Sequence, residues 1–258
     1  MEGTSPQPRR FWLPRSRRLT TDVLHYSRKV PLCPHDRVMN LGELGQLRRL
    51  LPERISFATL FVKAYGLMAI ESPAFRQLFF RWPAANVYEH GETVLMMAIA
   101  REFRGEPWLF WGRFIRPETR SVLELQRQLE RYQTEDPRRV FKQQCQLSAF
   151  PTPIRRSIWW WNLNTSGRNR ARRTGTAFLS TLAGRGVEIP CPPSFQTGCI
   201  SYGPCDEKGR ARVSIAYDHR LMDGATVASA FEQLELILNK VIADELRGLI
   251  DADRQSAA

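Results

Sequence analysis

His219, Asp223 and Gly224 form the pattern His-x-x-x-Asp-Gly inside the run SIAYDHRLMDGATVASAF, residues 214–231. A neutral imidazole, with an ordinary pKa of ~6.5, can take a proton from a hydroxyl or a thiol at neutral pH. His219 is therefore a candidate general base. The same residues could equally do no more than close a turn, and spacing alone does not separate the two readings. The chain has four histidines. His35 follows Pro34 in an expected loop, His90 falls in an expected turn, and His25 has no partner at ligand spacing. Five dispersed cysteines (Cys33, Cys145, Cys191, Cys199 and Cys205) include no Cys-x-x-Cys pair. Neither zinc spacing nor a Cys–His nucleophile pair emerges. No metal is expected, and Cys199 and Cys205 read as buried thiols.

The elements around His219 must hold it at a cleft. VSIAY before it reads as a strand, and ATVASAFEQLELIL after it as a helix. A residue between them is rigidly anchored yet open to one side. Gly224 suits a tight turn, and Asp223 can serve near a helix N-terminus. Upstream, 41–51 reads as a short amphipathic helix closed by Pro52. Ser56 can cap the next helix, 56–72, which is apolar almost all round and therefore buried. Residues 86–89 and 93–100 read as two strands around the turn His90-Gly91, with VLMMAIA apolar on both faces like a central strand. Residues 121–133 form an amphipathic helix, and 225–246 the last one. Helices and strands mix without a strict βαβ rhythm. The fold class expected is α/β, an α+β layered sandwich with a mixed sheet flanked by helices.

Composition sets the outer limits. The chain has 258 residues, 43% hydrophobic and 25% charged, which excludes a wholly disordered chain, a collagen or a coiled-coil rod. Lys plus Arg number 38 against 26 Asp plus Glu, a formal charge of +12, and only five of the 38 are lysines. An arginine-rich surplus suits anionic partners, although codon bias alone can produce it. The N-terminus is basic and lacks the apolar core of a secretory signal, and no uninterrupted apolar run approaches a membrane span. Dispersed cysteines suit a reducing compartment, so a cytoplasmic location is expected. Residues 1–18 read as a basic flexible arm and 248–258 as a disordered tail, leaving one domain at 19–247.

The passage 154–173, IRRSIWWWNLNTSGRNRARR, sets three tryptophans beside six arginines. It could be a loop packing its tryptophans on a neighbouring subunit, a phosphate-binding segment, or a membrane-surface contact. No nucleic-acid module is recognisable.

The full run, Asp-His-Arg before Met-Asp-Gly-Ala between strand and helix, resembles the C-terminal signature of the dihydrolipoyl acyltransferases of 2-oxo acid dehydrogenase complexes and of the related chloramphenicol acetyltransferases. SRKVP (27–31), RISFATLFVKAYGLMAIESP (54–73), GTAFLSTLAGRG (175–186) and CISYGP (199–204) line up in the same order. The resemblance spans about 19–247, dense at the C-terminus and thin in the middle. It implies a chloramphenicol acetyltransferase-like fold and an acyltransferase that moves an acyl group between coenzyme A and a thiol or hydroxyl acceptor. His219 would be the general base, and Ser180 would stabilise the oxyanion. Asp223 would pair with an arginine, for which Arg28 is the candidate, and so aim His219. The resemblance further implies a homotrimer with its sites between subunits, and a small-molecule or lipoyl-bearing acceptor.

Three departures stand out. No lipoyl or subunit-binding domain precedes residue 19, so the chain is expected to act alone or with lipoyl groups carried elsewhere. Phe178 replaces the family's threonine two places before the serine. Trp108, Phe110, Trp111 and Phe114 are bulky in the middle region, where they could reshape an acceptor pocket or fill the core. Two other classes compete with the acyltransferase. One is a non-catalytic oligomeric scaffold of the same fold, and the other a basic membrane-surface protein.

Overall fold

The computed structural model describes residues 8–256. Their order is α1 (Arg15–Ser27), β1 (Leu32–Asn40), α2 (Gly42–Leu50), α3 (Phe57–Glu71), β2 (Gln77–Phe80), β3 (Asn86–Glu89), β4 (Val94–Phe103), β5 (Glu106–Ile115), α4 (Val122–Thr134), α5 (Pro137–Val140), α6 (Lys142–Leu147), α7 (Thr152–Asn164), α8 (Gly167–Thr174), β6 (Ala177–Leu179), β7 (Gly198–Tyr202), β8 (Arg210–Asp218), α9 (Gly224–Leu236) and α10 (Ala243–Ser256). A π-helical turn, Ile237–Ile242, joins the last two helices.

Six strands form one mixed sheet in the order β1-β8-β7-β6-β4-β5. The β4–β6 and β6–β7 pairs are parallel, and the others are antiparallel. Strand alternation gives the sheet two apolar faces. Leu95, Met97, Leu179, Ile200, Val213 and Ile215 point into the main core with α3, α4, α9 and α10. Met96, Phe178, Cys199 and Ala216 point the other way into a smaller cluster. Helix α3 lies in the main core, with ten of its 15 residues buried, and Ser56 caps it as expected, its Oγ accepting from Thr59 N at 3.1 Å. The turn Asp206–Gly209 closes the β7–β8 hairpin, with Gly209 at φ +75°.

The middle-region aromatics divide between the faces. Trp108, Phe110 and Phe114 are core. Trp111, offset by one residue, packs with the second-face cluster.

Several boundaries differ from the sequence reading. β3 does not pair with β4. It joins β2 in a separate two-stranded sheet, and β4 runs between β5 and β6. A strand apolar on both faces needs neighbours on both edges and cover on both sides, which a lone hairpin cannot provide. The Trp/Arg passage is the helix pair α7–α8 rather than a loop. Pro151 caps α7 and Pro153 sits in its first turn, where the missing N–H costs nothing. Helix α1 starts at Arg15, inside the stretch read as an arm, and α10 runs through Ser256, inside the stretch read as a tail. Residues 1–7, 257 and 258, parts of those two expectations, lie outside the described residues. Among the described residues, no helix is long and apolar enough to cross a membrane.

Candidate active site

His219 follows the last residue of β8. Its backbone N–H donates to Pro31 O at 3.2 Å, and the N–H of Asp218 donates to Thr197 O at 2.9 Å. The turn is fastened by its own side chains. The Asp218 carboxylate accepts from Arg220 Nε at 2.8 Å, from Arg220 Nη2 at 2.5 Å and from the Arg220 backbone N–H at 3.1 Å. Asp218 is 3% exposed, and the Arg220 guanidinium lies 4.2 Å from the centre of the Phe79 ring. A bidentate Arg–carboxylate pair with one partner buried is a rigid clamp. The His219 ring projects to solvent, 5.5 Å from the ring of Tyr217. Tyr217 is fully buried, and burial, with the Cys33 thiol beside it, pushes its hydroxyl up to about 12. It is therefore a neutral group at physiological pH.

Asp223 is the N-cap of α9. Its Oδ1 accepts from Thr226 N and Thr226 Oγ1, both at 2.9 Å. The hydrogen bond to the backbone N–H of Thr226, first, holds the exposed carboxyl below its usual range. Arg28 is exposed at the C-terminal end of α1, and no ion pair among the described residues joins it to Asp223. The clamp that orients His219 is Asp218–Arg220 instead. Both residues lie inside the signature run, and the one signal was an acid and an arginine two apart across a strand end. Gly224 does not have a left-handed backbone. A Cβ there would sit 3.4 Å from His35 Nε2, at the edge of ordinary van der Waals contact. His35, read as a loop residue, is on β1 with its ring 5.4 Å from that of Tyr217.

Ser180 follows β6, with its N–H donating to Ile200 O at 3.1 Å. It is half-buried, and its hydroxyl makes no hydrogen bond among the described residues. The next hydroxyl, Thr181 Oγ1, is engaged: it donates to Tyr202 O at 2.8 Å and accepts from Ala183 N at 3.0 Å. Ser180 alone of the two is free to meet a ligand.

One chain does not bring His219 and Ser180 together. β6 and β7 run parallel and β8 antiparallel, so the end of β8 lies beside Thr197 at the start of β7, while Ser180 lies beside the end of β7. Five residues along the sheet and two strand spacings across it separate them by roughly 19 Å.

Beside the His219 turn is a cleft of about 250 Å³. Lys29, Arg81, Arg170 and Arg220 line it with Trp82 and Trp160, and among the described residues no carboxylate does. Arg170 is committed to the fold, donating to Phe79 O at 2.8 Å, and burial lowers its guanidinium to about 10. Lys29 and Arg81 are exposed. Among the described residues, no group of three or more His, Cys, Asp or Glu side chains could hold a metal ion.

No protein-family model and no curated protein matches the chain. Solved structures do. A dihydrolipoamide acetyltransferase of Azotobacter vinelandii, whose catalytic serine, histidine and asparagine have been investigated, aligns over 92% of this chain and 93% of its own at TM-score 0.66 and 16% identity. The cubic core of a pyruvate dehydrogenase complex aligns over 92% and 93% at 0.63 and 16%. A chloramphenicol acetyltransferase aligns over 84% and 94% at 0.51 and 14%. The chain has the fold of these acyltransferases.

Proposed function

We propose that the protein is an acyltransferase that moves an acyl group between coenzyme A and a thiol or hydroxyl acceptor. A coenzyme A thioester would supply an activated carbonyl carbon and a thiolate leaving group. His219 takes the proton from the acceptor, so that the acceptor's oxygen or sulfur attacks that carbonyl. Ser180 donates a hydrogen bond to the oxyanion as it develops. As the carbon–sulfur bond breaks, His219 returns its proton to the departing sulfur, and the imidazole is neutral again. Lys29 and Arg81, exposed beside the His219 turn, offer positive charge to the cofactor's phosphates.

The observation that carries this reading is the disposition of the two groups. His219 is clamped and exposed at one end of the sheet, and Ser180 has a free hydroxyl at the other. Head-to-tail contact between copies would bring the two ends together, as the proposed trimer requires.

The test is release of free coenzyme A thiol from a panel of acyl-coenzyme A thioesters, with dihydrolipoamide, alcohols and amines as acceptors. His219→Ala should lower acceptor-dependent release about 10²- to 10⁴-fold. Ser180→Ala should lower it about 10²- to 10³-fold. Undiminished release by His219→Ala would overturn the mechanism. A stable trimer that neither binds nor turns over any thioester would identify a scaffold of the same fold.

A further inference from the structure

The second face of the sheet carries a cavity of about 370 Å³, which shares Phe195 with the cleft beside the His219 turn. Met96, Trp111 and Phe178 line it from the sheet, and Leu19, Val23 and Leu147 from the helices α1 and α6. This volume is in the range of small-molecule sites, ~300 to 1,000 Å³. Its polar lining is largely turned onto the protein itself. Gln144 bonds both the N–H and the C=O of Trp111, at 3.0 and 2.8 Å. Gln196 Nε2 donates to Thr174 O at 2.6 Å, and its Oε1 accepts from Ser194. Asn162 accepts from Arg173 at 2.5 Å. What remains for a ligand is apolar surface, the amides of Gln143 and Gln146, and one charge. Among the described residues, Arg173 is the only charged one of the lining, and no carboxylate is present. Two of the residues at which the sequence departs from the acyltransferase pattern, Phe178 and Trp111, meet here beside Trp159 of the tryptophan run.

We propose that this cavity binds a straight-chain aliphatic carboxylate. Its hydrocarbon lies between the Met96–Phe178 floor and α1, and its carboxylate meets Arg173. Apolar walls left unfilled by side chains gain free energy when a chain displaces water from them. A guanidinium at the rim fixes the polar end. Ser180, two residues beyond Phe178, is not part of the lining. Binding is independent of acyl transfer and is read without turnover.

Titration calorimetry with hexanoate, octanoate, decanoate, dodecanoate and hexadecanoate tests the proposal. Affinity should rise about fourfold per added methylene until the cavity is filled, and then level off. Val23→Trp or Leu147→Phe, which place bulk in the cavity, should weaken dodecanoate binding at least tenfold, in protein whose circular dichroism and melting match the parent. Arg173→Gln should weaken dodecanoate several-fold and leave dodecanol unchanged. His219→Ala should bind like the parent, so a failed acyl-transfer reading and a failed cavity reading give different results. No binding by any chain length, or binding that both filling variants leave intact, overturns the proposal.

Discussion

Asp223 and Asp218 divide between them the work of one motif carboxylate. Asp223 holds the start of α9 through Thr226, and Asp218 chelates Arg220 and fixes the turn that bears His219. Their variants should differ accordingly. Asp223→Ala should destabilise the fold, whereas Asp223→Asn, which still accepts from the backbone, should keep most of the stability. The carboxyl of Asp223 is depressed in the folded state. Its contribution is therefore full above the unfolded value of ~3.9 and is lost as pH falls through the lower folded value. Urea melts across pH should show the gap between parent and Asp223→Ala closing in acid. Asp218→Asn removes charge-assisted bonds from a buried acceptor and should cost about 2 kcal/mol. It should also lower turnover, because the aim of His219 is lost with the clamp. Arg220→Lys should not restore turnover, since an ammonium cannot make the bidentate pair.

At the scale of elements, the helices over the second face are tied down by a buried ion pair. Asp22 on α1 is fully buried and accepts from Arg155 Nε on α7 at 2.7 Å and Nη2 at 3.3 Å. Tyr26 of α1 adds a hydrogen bond to Arg156 O at 2.7 Å. Removing Arg155 leaves the buried carboxylate only the longer contact of 3.9 Å to Arg156 Nε. Arg155→Met should cost about 3 to 5 kcal/mol in chemical denaturation, and the double variant Asp22→Leu/Arg155→Met should recover part of the loss. The same pair docks the first helix of the Trp/Arg passage on α1. Arg155 is not a surface charge but a docking bolt, and Trp159 packs in the cluster of Tyr26 and Phe195. Trp160 and Trp161 stay 52% and 63% exposed, so the three tryptophans do not act as one unit.

At the scale of the molecule, the sheet places His219 and Ser180 at opposite ends, so the proposed chemistry needs more than one copy. Mixing is the decisive measurement. His219→Ala and Ser180→Ala proteins, each inactive alone, should regain activity when refolded together, because one copy supplies the serine and the other the histidine. In a mixed trimer about one site in three is whole. Sedimentation should show three copies per particle. No recovery in a confirmed mixed trimer would mean that each chain carries its own complete site.

The local chemistry was legible in the residues. The run 214–231 marked the strand, the turn and the helix around His219, because a short apolar run, a polar turn and a 3.6-residue periodicity are properties of adjacent residues. Helix α3 was legible for the same reason: Ser56 caps it, and its apolar residues cover every face. Long-range placement was decided only by the tertiary structure. Asp218 and Arg220 were in plain sight, yet choosing Asp218 over Asp223 as the clamp required knowing which carboxylate is buried. The face of Trp111 followed from the register of β5 on β4, and a one-residue offset sends a side chain to the opposite side of a sheet. The separation of His219 from Ser180 depends on the direction of three strands. Strand direction follows from how the connections wrap around the core, and no window of neighbouring residues contains it.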